Sequence, residues 1–240
     1  MKKLLTGACV LAATAFVDPA QAVDVELTAN GGAVTQYIFR GIPQSDGKAA
    51  AQGGVDLDVS GFYLGTWLSQ VDTSARTAAG DVPASGLEID FYGGYAFDLG
   101  DFSFGVGGTA YTYTEDFDEE YYELNLSAGW KFLTIDYAIG QYDGPSATSS
   151  TQDYTFGSVT LEYNGFYGLV GNWGSDFDGT FYELGYGNTL TVADKELFDY
   201  SFALIRSDDA LSFKVDSNGN PNEDTFFYAG VVKSFGLYSN

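Results

Sequence analysis

The sequence predicts an all-β protein: a transmembrane, antiparallel up-and-down barrel of about twelve strands, with short turns at one end and longer loops at the other. Three observations carry that prediction. The first is composition, because nineteen Phe, eighteen Tyr and thirty-one Gly against five Pro suit pleated strands joined by tight turns. The second is a period-two alternation of oily and polar side chains, sustained over lengths of about 9–11 residues that a tilted membrane strand needs. The third is that the connections between these runs sort into a short set and a long set in alternation, as in outer-membrane barrels.

Residues 1–22 are set apart as an export signal. Lys2 and Lys3 form its positive start, Leu4 to Val17 its apolar core, and Ala20-Gln21-Ala22 the small-residue cleavage site. The apolar core is too short to span a bilayer as a helix. Residues 23–240 then form one barrel domain that contains no cysteine, since Cys9 lies in the signal. Export to an oxidising compartment would permit disulfides, so packing and backbone pairing must hold this domain instead.

Twelve strands are expected at 24–39, 49–59, 62–71, 87–97, 102–113, 121–130, 133–141, 153–163, 166–173, 180–189, 197–206 and 224–235. The clearest runs are Leu87 to Phe97, Tyr122 to Trp130, Leu133 to Ile139 and Val55 to Val59, each with one oily face and one carboxylate-bearing face. Phe62 to Val71 carries aromatics on both faces and has no evident orientation. Among the short connections, Asn164-Gly165 is a strong two-residue hairpin signal. The long set comprises 41–48, 72–86, 114–120, 142–152, 174–179 and 207–223. A secreted β-sandwich would also show many strands, but its strands average five or six residues and its polar faces mix lysine with glutamate. Here the polar faces are small and acidic.

Aromatics gather towards the strand ends and predict two interfacial girdles. The outer one would contain Tyr37, Phe39, Tyr111, Tyr113, Tyr121, Tyr137, Tyr154, Trp173, Phe181 and Phe227. The inner one would contain Phe62, Phe97, Phe102, Trp130, Phe132, Tyr163, Phe166, Tyr167 and Phe235. Arg206, near an outer strand end, is placed to meet lipopolysaccharide phosphate.

Three segments resemble the opening of the TorF-like porin family, also called the Gcw_chp family: Tyr37-Ile38-Phe39-Arg40-Gly41-Ile42-Pro43-Gln44-Ser45-Asp46-Gly47, Ala51 to Asp56, and Gly61 to Trp67. Glu88 to Tyr95 and the ending Gly230 to Phe235 are similar to the same pattern. The resemblance implies a bacterial outer-membrane barrel with a pore function. One departure is that Gly236 to Asn240 follow Phe235, where such barrels usually end on the aromatic.

With 33 acidic and 10 basic residues the formal charge is −23, and the alternation assigns the carboxylates to the bore. If the oily faces meet lipid, Glu26, Asp56, Asp58, Glu88, Asp90, Glu123, Asp136, Glu162, Glu183 and Asp199 point inward, with Arg40 the best inward cation. Unpaired carboxylates need water, so the bore is expected to be wet, pore-lining and cation-preferring. Alternatively the carboxylates accept hydrogen bonds from neighbouring Tyr, Thr, Ser and Asn and rigidify a nearly closed barrel. Arg40 would either face Glu88 or Asp90 as a charge filter or pin the first loop.

The absence of histidine removes imidazole bases and ligands, so no catalytic residue, cofactor or metal is assigned. The oxygen-rich run 216–224 lacks the glycine and glutamate positions of a calcium loop, and 116–120 and 176–178 read as solvated tips. Expected partners are outer-membrane lipid and lipopolysaccharide, the barrel-assembly machinery, and small solutes or cations. A chain this acidic repels nucleic acid. A non-conducting structural or adhesive barrel is the competing function.

Overall fold

In the computed structural model the described residues are 23–73, 76–77, 80–81, 84–143, 150–214, 216–217 and 219–240; the expected export signal lies outside them. Twelve antiparallel strands close into a barrel: β1 (Val25–Val34), β2 (Ala50–Val59), β3 (Phe62–Thr73), β4 (Ala84–Leu99), β5 (Phe102–Tyr113), β6 (Tyr121–Trp130), β7 (Leu133–Tyr142), β8 (Gln152–Tyr163), β9 (Phe166–Ser175), β10 (Gly179–Val192), β11 (Lys195–Ser207) and β12 (Asp224–Ser239). Each strand pairs with its sequence neighbours and β12 closes on β1, so no edge is left unpaired.

Most expected strands fall within a few residues of these bounds, and the departures have local causes. The first strand stops at Val34 rather than continuing to residue 39, and the chain from Thr35 turns into the barrel. The tenth and eleventh strands run closer together than expected, because Ala193 and Asp194 both adopt positive φ, 48° and 60°. They thereby make a tight turn without the glycine that usually announces one. The last strand continues past Phe235: Gly236, Tyr238 and Ser239 pair with Thr28, Leu27 and Glu26, across a bulge at Leu27/Thr28. The bulge absorbs the extra residue and keeps the strand in the wall.

Alternation sorts the two faces as the hydrophobic pattern requires. Leu64, Phe91, Leu124, Leu126, Ile135, Val159, Leu161, Leu184, Leu204 and Val231 face outward and are exposed. Such a continuous apolar belt on the outside of a closed sheet is the reverse of a water-soluble barrel's surface. β3, ambiguous in sequence, takes Phe62 and Leu64 to the outside and packs Gly65, Ser69 and Val71 inside.

The inner girdle forms at the short-turn end. Phe62, Tyr95, Phe97, Phe104, Phe102, Trp130 and Phe132 make an unbroken series of ring contacts 4.6–6.4 Å apart. Phe166, Tyr186, Tyr200 and Phe202 continue a second arc, whereas Tyr167 points inward and is buried.

The expected outer girdle is overturned. Of its ten residues only Tyr137 and Phe227 are exposed on the outer face; Tyr37, Tyr111, Tyr154, Trp173 and Phe181 are buried, and Phe39, Tyr113 and Tyr121 pack against them. These rings fill the bore. Even a two-residue register error changes which height a ring occupies but not which face it takes, so residue parity was the deciding feature, not distance from a strand end.

Candidate functional site

The bore divides into two halves of different character, and the first loop makes the difference. Residues Ile38–Phe39 and Ile42–Pro43 pair as a miniature hairpin whose tip is Arg40-Gly41, with φ of 48° and 86°. Two positive-φ residues at a hairpin tip define the turn whose twist matches its strands. Arginine is an unusual occupant of such a position, and the surroundings explain its retention.

The tip is inserted into the barrel and tied to the wall by its own backbone. Trp173 Nε1 donates to the Arg40 carbonyl at 3.1 Å, and Ser207 Oγ donates to the Gly41 carbonyl at 2.6 Å. A Cβ on Gly41 would sit 2.7 Å from the Phe181 ring, so both conformation and close approach require glycine there. At the hairpin's base, Tyr37 N donates to Ser45 Oγ at 2.8 Å, and Tyr37 OH donates to Glu88 Oε1 at 2.6 Å.

The Arg40 guanidinium donates twice to Glu123, through Nη1 to Oε1 and through Nη2 to Oε2, the latter at 3.0 Å. It lies 4.3 Å from the Phe156 ring centre, 4.8 Å from Phe39 and 5.5 Å from Trp173. Forked hydrogen bonding and stacking on aromatic faces are the two properties that distinguish arginine from lysine. Burial works to lower the Arg40 pKa, but the Glu123 carboxylate outweighs it and holds the group above its ordinary value. Arg40 therefore stays charged at any pH the protein meets.

Glu123 also accepts from Tyr154 OH at 2.9 Å, Tyr111 OH at 3.1 Å and Asn125 Nδ2 at 2.8 Å. Its side chain has 0% exposure. Reaching it from Tyr154 requires a gap in the intervening strand. Tyr154 on β8 pairs with Gly140 on β7, which pairs with Glu123 on β6. The ring lies across Gly140, where a Cβ would come within 2.2 Å of it. The same row recurs as Tyr92, Gly65 and Asp56 on β4, β3 and β2, with Tyr92 OH donating to Asp56. The glycine-rich, tyrosine-rich, acidic composition is thus one device: tyrosine crosses glycine to reach a carboxylate.

In the outer half, Glu88 and Asp90 are each 1% exposed, and Glu123 and Glu183 are buried. A water-filled passage at that height would expose them, so the expected wet bore is overturned there. Tyrosine hydroxyls reach three of these carboxylates: Tyr37 donates to Glu88, Tyr154 and Tyr111 to Glu123, and Tyr167 to Glu183. Of the two expectations for Arg40, the pairing with Glu88 or Asp90 is not found, since Tyr37 at the hairpin's base takes Glu88; the salt bridge that pins the first loop is found, with Glu123 as its partner.

Two further loops close over this half. Phe117 packs on Tyr113 at 5.6 Å, and Phe177 packs on Tyr154 at 5.0 Å and Trp173 at 5.7 Å. The segments read as solvated tips are therefore anchored by their phenylalanines. Asp118 accepts from Tyr121 OH at 2.9 Å and from Tyr142 OH at 2.8 Å.

The inner half is looser. Asp56, Asp58, Asp136, Glu162 and Asp199 are only partly buried and share the inward register. Asp136 accepts from Ser127 Oγ at 2.7 Å and Asp199 from Thr189 Oγ1 at 2.5 Å. Glu26 lies at the rim and is exposed. Arg206 faces outward, as placed, but is engaged by Glu223 and by Thr225 Oγ1 at 2.9 Å. Among the described residues no cluster of His, Cys, Asp and Glu is arranged to hold a metal ion.

Fold and site define a closed twelve-stranded β-barrel with an apolar exterior, an inner half whose inward face is acidic, and an outer half packed around an inserted loop. Residues 19–155 match the model of the family described as "Bacterial protein of unknown function (Gcw_chp)", and the chain belongs to that family. No curated protein matches the sequence.

Three solved structures, all from Pseudomonas aeruginosa, show how distant its structural likenesses are. OccK2 (OpdF), in complex with glucuronate, has a TM-score of 0.35 and 10% identity, over 90% of this chain and 98% of that one. OccK1 (OpdK) has a TM-score of 0.35 and 8% identity, over 90% and 99%. OccK11 (OpdR) has a TM-score of 0.33 and 9% identity, over 90% and 96%.

Proposed function

We propose that this chain is an outer-membrane diffusion channel for small solutes, cation-preferring, which rests closed with its first loop inserted. The observation that carries the reading is the pairing of an apolar outer belt with a bore whose inward register holds ten carboxylates, from Glu26 to Asp199. An acidic bore concentrates cations and repels anions, and a twelve-stranded barrel is wide enough to need filling by something beyond its own wall. The inserted hairpin provides that filling. Its hold on the wall combines ring packing with hydrogen bonds at the tip and base, none of them a bond of the barrel ladder, so withdrawal of the hairpin together with the Phe117 and Phe177 loops would open the outer half without unpairing any barrel strand.

The competing reading, a non-conducting structural barrel, is favoured by the density of ring packing around Trp173. Planar-bilayer recording separates the two. The mature protein should show infrequent openings whose reversal potential in a potassium chloride gradient has the sign for potassium. Arg40→Ala should raise the open probability. A chloride-selective reversal potential would overturn the cation preference, and silence of both proteins after verified insertion would favour the structural barrel.

A further inference from the structure

Arg40 is held as a ligand is held. Its guanidinium makes two parallel hydrogen bonds to one carboxylate, lies against aromatic faces, and is 11% exposed. What receives it belongs almost entirely to the wall: Glu123, Asn125, Tyr111, Tyr154, Phe156 and Trp173, contributed by β5, β6, β8 and β9. Three of those residues already satisfy Glu123 with neutral donors. Neutral donors do not cancel its charge, so with Arg40 gone a fully buried carboxylate is left needing a cation. The shape that remains is a planar slot with a forked acceptor at its end and rings along its sides. That is complementary to a guanidinium and poorly matched to a hydrated spherical ion or an ammonium.

We propose that these wall residues form a guanidinium-binding site, that Arg40 is its built-in occupant, and that small solutes bearing a guanidinium group compete with Arg40 for Glu123 and are thereby admitted. The admission step rests on the channel reading above; the binding site does not. A competing solute would occupy the acceptors that hold the Arg40 side chain, leaving the tip on its two backbone hydrogen bonds to Trp173 and Ser207, so the cation that loosens the hairpin is also the one the vacated site recognises. Nothing need change in the wall, because Tyr111, Tyr154 and Asn125 keep their bonds to Glu123 throughout.

The test uses the full mature chain in detergent, with the variants Arg40→Ala and Arg40→Ala/Glu123→Gln. Methylguanidinium chloride, which carries an alkyl stem as arginine does, is the probe, and matched sodium chloride the control. In Arg40→Ala the unfolding temperature should rise with methylguanidinium and saturate at about 1 mM, an affinity in keeping with so small a ligand. The double variant should show at least a tenfold loss of that response. If Arg40→Ala does not refold unaided, refolding with the probe present is the second reading; recovery of folded barrel by methylguanidinium but not by sodium supports the site. A response to methylguanidinium no larger than to sodium, or one that survives Glu123→Gln, overturns it.

A bilayer arm then isolates the admission step. Methylguanidinium added to the wild type should raise its open probability several-fold. If the detergent response is present and no current appears with any variant, the binding site stands and the channel reading fails. If currents appear and the detergent response is missing, the channel stands and the guanidinium site is overturned.

Discussion

The two halves of the bore are built from the same residue types and behave differently. Towards the long loops, Glu88, Asp90, Glu123 and Glu183 are buried, and hydroxyl donors reach Glu88 from the inserted hairpin and Glu123 and Glu183 from neighbouring strands of the wall. Towards the short turns, Asp56, Asp136, Glu162 and Asp199 sit partly exposed, and Asp136 and Asp199 lean on a serine or threonine of the adjacent strand. What separates the halves is one inserted hairpin and the rings that close on it. The comparison teaches that acidic residues of a barrel bore are not by themselves evidence of a wet passage. Tyrosine reaches carboxylates in both halves, Asp56 included, and the half that is closed is the one where the inserted hairpin and its rings also cover them.

The sharpest way to break this comparison is to remove the charge partner in the outer half. Arg40→Ala leaves Glu123 buried without a cation and should destabilise the folded barrel by about 3–5 kcal/mol, read from urea unfolding in lipid. Tyr154→Phe removes one donor to the same carboxylate and should cost about 1.5–3 kcal/mol, the range for a hydrogen bond to a charged group. Gly140→Ala tests the crossing device: its methyl group would stand where the Tyr154 ring lies. A loss of about 1–3 kcal/mol is expected from the forced displacement, with little further loss when Tyr154→Ala is added. The smallest effect belongs to the inner half, where Asp136→Asn should change stability by less than about 1 kcal/mol while shifting the reversal potential towards neutrality. Equal losses for the Glu123 and Asp136 regions would erase the distinction between them.

Much of the fold was readable from the sequence because the alternation of Leu87 to Phe97 or Leu133 to Ile139 sets an apolar outer face against a carboxylate-bearing inner one. The inward register of the acidic residues came from the same pattern. The inserted hairpin was not readable. Its tip is Arg40-Gly41, and arginine in a positive-φ position carries no turn signal; its stability comes from Glu123 and Phe156, more than eighty residues away in the chain. The aromatic interior was missed for a different reason. Tyr154 shares the parity of Ser158, Thr160 and Glu162, and that parity places it inside, yet its nearness to a strand end suggested an interfacial girdle. Among these residues, the face a ring occupies was the stronger signal than its height.

The three tryptophans give the most direct test, since the chain has one in each environment that matters: Trp130 is on the outer face, Trp173 is buried beside Arg40, and Trp67 is against Tyr37 at 5.4 Å. With Trp67 and Trp130 replaced by phenylalanine, the emission of Trp173 in lipid vesicles should resist both aqueous acrylamide and brominated lipid, while a variant keeping only Trp130 should be quenched strongly by brominated lipid. Ready quenching of Trp173 by acrylamide in the resting protein would contradict the closed, loop-filled outer half.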